Sequence, residues 1–367
     1  MSMLLKRLSD GISSLRDHLR SPESQTYYPQ ECKKSNFVIW LDNFWWILKY
    51  HRINHYYYVY GFDRKTGVNK SDYLEESVFC RLRDESNREM WAGGRKASYV
   101  CLLRDKFIFN QYLKGLGFPT PNVLGFCDKG FVMWLDTHQT EPLEDLVNRD
   151  NLDVFVKELL GEGADGVYPL KIEQGKLYLN NKRATIKEFK ETIKDKCIIQ
   201  KRIFQHPQMS RLYPHSVNSV RIVTARGREG IVILSTLLRL GANGNQCDNW
   251  AAGGITVGID LETSRLSEKG MFKPGFGKKV FRHPHTGVEF KNFEIPYLSK
   301  AIDMAKELHS FFYGIHSVGW DIAITNDGPV FIEGNENWDT QMMQVHDNNI
   351  KKKFLATLPA RKSRKLN

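Results

Sequence analysis

The sequence predicts an α+β protein of two or three domains. Three observations predict it. Helical apolar spacing fills much of the first hundred residues, extended apolar runs crowd the second half, and 367 residues exceed one small domain. The chain is 41% hydrophobic and 26% charged, ordinary globular usage that excludes wholesale disorder, collagen and a long coiled coil. Lys and Arg number 53 against 42 Asp and Glu, a net charge of +11, so a polyanionic partner is expected: nucleic acid, anionic lipid or a phosphorylated ligand.

In chain order, Leu5, Leu8, Ile12, Leu15 and Leu19 share one helical face. Lys6, Arg7, Asp10 and Arg16 interrupt any signal-peptide core. This helix is expected to dock on the domain, with no more than weak peripheral contact with a membrane. The most apolar window, residues 37–48, is broken by Asp42 and Asn43 and is too short to span a bilayer. Trp40, Trp45, Trp46, Tyr56, Tyr57, Tyr58 and Tyr60 sit among Phe37, Ile39, Ile47, Leu48 and Val59, which reads as a packed helical core more than a base-stacking platform. Six scattered cysteines, with no C-x-x-C pair, read as reduced thiols of a cytoplasmic protein.

Residues 105–114 form a helix that Gly115 and Gly117 end and Pro119 and Pro121 follow. Strands are expected at 154–156, 167–172 and 197–200, with a helix at 186–196. Strands 219–225 and 231–240 flank a turn containing Gly227 and Gly230. The glycine-rich stretch 241–254 has the length of a functional or disordered loop. Pro296 opens a helix with the stripe Leu298, Ile302, Ala305, Leu308 and Phe312, and a hairpin follows at 318–324 and 330–333. The basic tail, with Lys351, Lys352, Lys353 and Arg361, is expected to fray.

The hairpin carries the most chemistry. Asn326-Asp327-Gly328 suits a three-residue loop, whose register sets Asp321 opposite Glu333; a two-residue turn would shift the register by one and leave them diagonal. Alternation then puts Trp320, Ile322, Ile324, Val330 and Ile332 on one apolar face, and Asp321, Glu333 and Asn335 on the other. A plain solvent face is one reading. Facing carboxylates repel, however, and two carboxylates with an amide oxygen suit Mg²⁺ completed by phosphate and water; the geometry favours the cation. Lys157 ends an apolar strand before Gly161, Gly163 and Gly166, which is either an ordinary turn or a loop that cradles phosphate. Lys106 opens its helix in the same two-sided way. Arg221 and Arg239 share a face of two apolar strands, as a structural ion pair or as groups that stabilise growing negative charge.

Taken together, these stretches resemble the ATP-grasp superfamily, and within it the sugar-transfer-associated ATP-grasp family, over roughly residues 35–345. The resemblance is carried by Arg104-Asp105-Lys106-Phe107, Gly117-Phe118-Pro119-Thr120-Pro121, the run from Asn218 to Thr224, Leu238-Arg239-Leu240-Gly241, Asp248-Asn249, Gly253-Gly254, Gly319-Trp320-Asp321-Ile322-Ala323 and Ile332-Glu333-Gly334-Asn335. It implies two α+β lobes clasping ATP. The parts would be a helical, aromatic N-terminal region (1–100), a linker with the first ATP-grasp helix (101–130), a small lid lobe (131–200), a large catalytic lobe (201–350) and a basic tail (351–367). Lys106 and Lys157 would hold phosphate, and the loop of Gly161, Gly163 and Gly166 would close over it. Gln200, Lys201 and Ile203 would meet adenine, Gln200 standing where members often carry an acid. His206 is a candidate for ribose. Asp321, Glu333 and Asn335 would bind Mg²⁺, and Arg221 and Arg239 would hold an acyl phosphate or the γ-phosphate.

The activity implied is ATP- and Mg²⁺-dependent ligation of a carboxylate to an amine through an acyl phosphate, on a small or sugar-linked substrate of surface polysaccharide or its precursors. A phosphotransferase using the same apparatus is the alternative enzyme. A non-catalytic polyanion-binding protein is the alternative outside catalysis; nucleic acid is disfavoured, because such a protein has no need to gather carboxylates. The oligomeric state is not legible in the sequence.

Overall fold

Period-two burial builds two antiparallel sheets. The computed structural model describes residues 14–91, 98–149, 151–161 and 166–359. The first sheet holds β1 (Val123–Cys127), β2 (Phe131–Trp134), β3 (Thr140–Pro142), β4 (Leu152–Glu158), β5 (Val167–Glu173), β6 (Lys176–Leu179), β7 (Lys182–Ala184) and β8 (Cys197–Lys201), in the order β3-β2-β1-β8-β4-β5-β6-β7. The second holds β9 (Ser219–Gly227), β10 (Gly230–Leu240), β11 (Ile255–Asp260), β12 (Arg265–Phe272), β13 (Lys279–Val280), β14 (Ser317–Thr325) and β15 (Gly328–Asn335), in the order β13-β12-β11-β10-β9-β14-β15. This is the pair of α+β lobes that the family resemblance implies. The first sheet starts at Val123, inside the stretch expected to be a linker, because residues 123–127 pair with both β2 and β8.

Each sheet buries one face under a helix. Helix Ile186–Thr192 starts at a capping box of Thr185 and Glu188, and it seals Phe189 over Val154, Val156, Leu170 and Ile172. Helix Leu298–Phe311 turns Leu298, Ala301, Ala305 and Leu308 onto the second sheet, against Val220, Ile222, Trp320 and Phe331. The N-terminal region is not set apart from this core. Phe79 and Leu82 of helix Glu76–Trp91 pack with Trp338 and Phe354 from the other end of the chain. Among the described residues, no helix is long and apolar enough to cross a membrane.

Four expectations are corrected here. The hairpin turn has two residues, not three: Thr325 pairs with Gly328, and the Thr325 hydroxyl donates to the Gly328 carbonyl at 2.9 Å. A bulge at Ile332 then adds the missing residue, so Asp321 still faces Glu333. The two-residue turn puts Phe331 opposite Ile322 in the core, and the bulge leaves Ile332 at the cavity, the reverse of simple alternation. The β9–β10 turn is likewise two residues, between Gly227 and Gly230, with a compensating shift between Ile233 and Ser235. Finally, the tail is helical over Ile350–Thr357, because Ile350, Phe354 and Leu358 recur on one face and are buried. Residues 360–367 and the first leucines of the N-terminal stripe lie outside the described residues; Leu15, farther along that stripe, is fully buried.

Aromatic packing in the N-terminal region is divided. Tyr27, Tyr57, Tyr60 and Phe62 are buried together, but helix Asn36–Tyr50 buries only Ile39 and Asn43. The core around β14 is far tighter. Trp320 is fully buried, meets Phe312 and Phe331 at ring distances of 5.4 and 5.8 Å, and donates from Nε1 to the Thr224 hydroxyl at 2.8 Å. Trp320→Ala is expected to cost about 3–5 kcal/mol in urea unfolding; a cost below about 1 kcal/mol would contradict this packing.

Candidate active site

Strand register alone brings four charged side chains into one row. Asp321 on β14 pairs with Arg221 on β9 and with Glu333 on β15, while Arg221 pairs with Leu237, two residues before Arg239 on β10. Residues two apart share a face, so Glu333, Asp321, Arg221 and Arg239 lie side by side across four strands. All four line a cavity of about 530 Å³ that also takes in Lys106 and Lys157.

Asp321 is bound by both arginines. Arg221 donates to it through Nε and, at 2.8 Å, through Nη2; Arg239 Nη1 donates to each carboxylate oxygen at 3.0 Å. The three residues are 5–9% exposed: Asp321 5%, Arg221 7% and Arg239 9%. Burial pushes the Asp321 carboxyl up, but the two guanidiniums outweigh burial and hold it below the usual carboxylate range. Burial pulls Arg239 down, and Asp248, Asp321 and Glu333 more than reverse it. Gly319 makes room for this clasp: a Cβ there would lie 2.9 Å from the Trp338 Cβ and 3.3 Å from Arg221 Nη1.

Asp248 extends the chain of charges. One oxygen accepts from Arg239 Nη2 at 3.0 Å, and the other accepts from the Ser219 amide at 2.9 Å and from the Ser219 hydroxyl. Asn249 caps the short turn Trp250–Ala252 by accepting from the Ala251 amide. The signal for Asp248 in the sequence was its position nine residues after Arg239, in a loop leaving the same strand. Glu336, which accepts from Arg104 Nε, carried none beyond following Asn335.

The first sheet and the helix that precedes it each supply a lysine. Asp105 caps helix Lys106–Gly115 by accepting from the Phe107 and Ile108 amides, which leaves Lys106 at the helix start. Lys106 Nζ donates to the Gly161 carbonyl and lies 3.6 Å from Glu333 Oε1. Lys157, on β4, makes no hydrogen bond or ion pair with the described residues. Burial, and secondarily Lys106, pulls its ammonium down to about 8 against the attraction of Glu333. Gly166 has φ +72°, and its carbonyl accepts from the Glu158 amide at 2.7 Å, which closes the base of the loop. Gly163 lies outside the described residues.

Gln200, Lys201 and Ile203 all border the cavity, beside Phe155 and Ile332. Gln200 is held between β1 and β4 by pairing with Val123 and Phe155. Asn335 reaches Asp321 from β15, its Nδ2 3.3 Å from Oδ2. His206 is absent from the cavity wall; it caps helix Pro207–Leu212 by accepting from the Gln208 amide, so the ribose assignment falls. His215 and His285 meet each other at 3.2 Å, also away from the cavity lining.

A fit to Mg²⁺ rests on the donor set. Glu333 and Asn335 offer hard oxygens at the cavity wall. Asp321 is different, because both of its oxygens already accept from guanidinium groups. It joins a cation only by opening one of those bonds.

The sugar-transfer associated ATP-grasp family model matches residues 87–357, well over half of the chain. No curated protein matches the chain in sequence. Solved structures similar to it include a D-alanine–D-alanine ligase from Bacillus anthracis, at 12% identity and TM-score 0.38 over 72% of this chain and 70% of that one. A RimK domain ATP-grasp protein from Sphaerobacter thermophilus has 12% identity and TM-score 0.38 over 71% and 70%. An N5-carboxyaminoimidazole synthase from Aspergillus clavatus, crystallised with ADP and 5-aminoimidazole ribonucleotide, has 10% identity and TM-score 0.37 over 65% of this chain. The match spans only 45% of that synthase's length. Likenesses this distant say nothing of substrate.

The clasp and Glu333 are separable by stability. Asp321→Asn leaves two buried guanidiniums short of a counter-charge and is expected to cost about 3–5 kcal/mol in urea unfolding. Glu333→Gln loses a partly exposed pair with Lys106 and a longer-range attraction for Lys157 and Arg239, and is expected to cost less, about 1 kcal/mol. Equal losses in the two variants would contradict the arrangement.

Proposed function

The chain belongs to the sugar-transfer-associated ATP-grasp family, and from that premise we propose that it is an ATP- and Mg²⁺-dependent ligase joining a carboxylate to an amine. One observation carries the reading: Lys106, Lys157, Arg221 and Arg239 gather with Glu333 and Asn335 around a single cavity. Cations gathered beside Glu333 suit a triphosphate with its metal.

The roles follow from position. Lys106 and Lys157 take phosphate oxygens, with Gly161 beside them. The base lies against Phe155, Ile203 and Ile332, near the backbone of Gln200 and Lys201. Glu333 and Asn335 hold Mg²⁺, with Asp321 as a ligand or as the anchor of the arginines. When bound, the ion neutralises charge on the phosphate oxygens. Arg221 and Arg239 face the group in transfer and stabilise the charge that grows there, already oriented by Asp321 and Asp248.

In the proposed reaction, an acceptor carboxylate oxygen attacks the γ-phosphorus and the bond to ADP breaks. The amine nitrogen then attacks the acyl carbon of the acyl phosphate. Phosphate leaves, an amide forms and the nitrogen loses a proton. The substrate class is a sugar-linked or small carboxylate with an amine, in keeping with the family's description. Because these groups position and neutralise, and form no covalent bond to the phosphoryl group, the fold can do this chemistry without a protein nucleophile.

Hydroxylamine tests the intermediate. With ATP, Mg²⁺ and an acceptor mixture of amino acids and sugar acids, a hydroxamate and free phosphate are expected, and a lasting phosphorylated product without free phosphate would mean a kinase instead. Glu333→Ala is expected to lower turnover by about 100-fold or more with the fold intact; full activity in that variant would end the metal assignment.

Lys157 gives a pH signature. Its ammonium titrates at about 8 in the free protein, and a bound triphosphate favours the charged form. Binding therefore takes up a proton as pH rises through that value, and nucleotide affinity is expected to fall there. Calorimetry in buffers of different ionisation enthalpy reads the uptake. Lys157→Met should bind more weakly with a flatter profile; a wild-type affinity unchanged between about pH 7 and 9 would contradict the assignment.

A further inference from the structure

Helix Asn36–Tyr50 is an unusual surface element. It carries Phe37 at 68% exposure and Trp45 at 65%, with Val38 and Leu48 also exposed. Leu41 and Phe44 lie half-buried on the same arc. Phe37 to Leu48 spans about 16 Å along the helix axis. The helix's one acid, Asp42, is turned away from this stripe and held by Lys34, Lys70 and the Tyr57 hydroxyl.

The charge around the stripe is mainly positive; the exposed acid at its start, Glu31, is paired with Arg64 at 2.8 Å. Lys33 precedes the cap residue Ser35, Lys49 closes the last turn and Arg52 follows the cap His51; all three are exposed. Lys65 is exposed as well, and it is brought to the helix start because its amide bonds the Cys32 carbonyl. Cations therefore stand at both ends of an aromatic stripe that carries no acid. Residues 31–70 contain seven Lys and Arg against three Asp and Glu.

We propose that this helix docks the protein on an anionic membrane surface, lying in the plane of the interface. Tryptophan and phenylalanine sit well at the boundary between headgroup and acyl chain, and the flanking cations reach anionic headgroups from there. A protein partner would need an acid placed for each end of the stripe, whereas an anionic bilayer meets both ends at once. The docking is separate from the catalytic reading, since no residue of the helix lines the cavity.

Full-length protein is sedimented with vesicles of phosphatidylcholine alone or mixed with phosphatidylglycerol. Binding to the mixed vesicles is expected, with a blue shift of tryptophan fluorescence, and it should weaken toward about 1 M salt, where charges are screened within ~3 Å. The double variant Phe37→Ser with Trp45→Ser should bind at least about ten-fold more weakly and keep its circular dichroism melt. Phe131→Ser, an exposed aromatic on the other lobe, should bind like the wild type. Three results would overturn the proposal: no binding to mixed vesicles, undiminished binding by the double variant, or a dimer in sedimentation velocity that Trp45→Ser dissociates while vesicles capture nothing.

Discussion

The Asp321 clasp governs the second sheet. In a low-dielectric interior a lone carboxylate or guanidinium is costly, and matched charges with satisfied hydrogen bonds are tolerated. Arg221, Asp321, Arg239 and Asp248 form such a matched series. It ties β9, β14 and β10 to each other and fastens the loop that leaves β10 through the Ser219 contacts of Asp248. The packing of Trp320 on the opposite face of β14 holds the same strand from below. One strand thus carries the core on one side and the site on the other.

Charges left over from that series define the cavity. Lys157 makes no hydrogen bond or ion pair among the described residues and lies over the Phe155 ring, Lys106 is tethered to the Gly161 carbonyl, and Glu333 stands near Lys106 without being fully matched. These are the groups with something to gain from a phosphate and a divalent cation. The division also separates two jobs that one triad had seemed to share. Asp321 orders the arginines, whereas Glu333 and Asn335 line the cavity without a guanidinium on their oxygens. The overall +11 charge then has two local expressions, one around the cavity and one around the aromatic helix.

Much of this was legible in the sequence because β-strand alternation and turn chemistry are local. The face shared by Arg221 and Arg239, and the pairing of Asp321 with Glu333, both follow from parity. They held although both turns were shorter than expected, because each hairpin contains a bulge of one residue. No local signal announces a bulge; it answers to tertiary packing, here the need to seat Phe331 and Leu234 in the core. His206 misled for a related reason, since a histidine before a proline-led helix serves equally well as a cap. The partnership of Asp321 with the arginines was visible only as a strand-bound arginine in want of an anion. The exposure of Phe37 and Trp45 could not be read at all, because apolar periodicity does not say whether a helix finds a partner.

The central claim is that this cavity takes a triphosphate with its metal at Glu333. A crystal structure with Mg²⁺ and a non-hydrolysable ATP analogue tests it most directly. The account predicts phosphate oxygens on Lys106 and Lys157, and a cation on Glu333 and Asn335, with Asp321 still holding at least one arginine. A nucleotide bound elsewhere, or a cation that leaves Glu333 untouched, would contradict it.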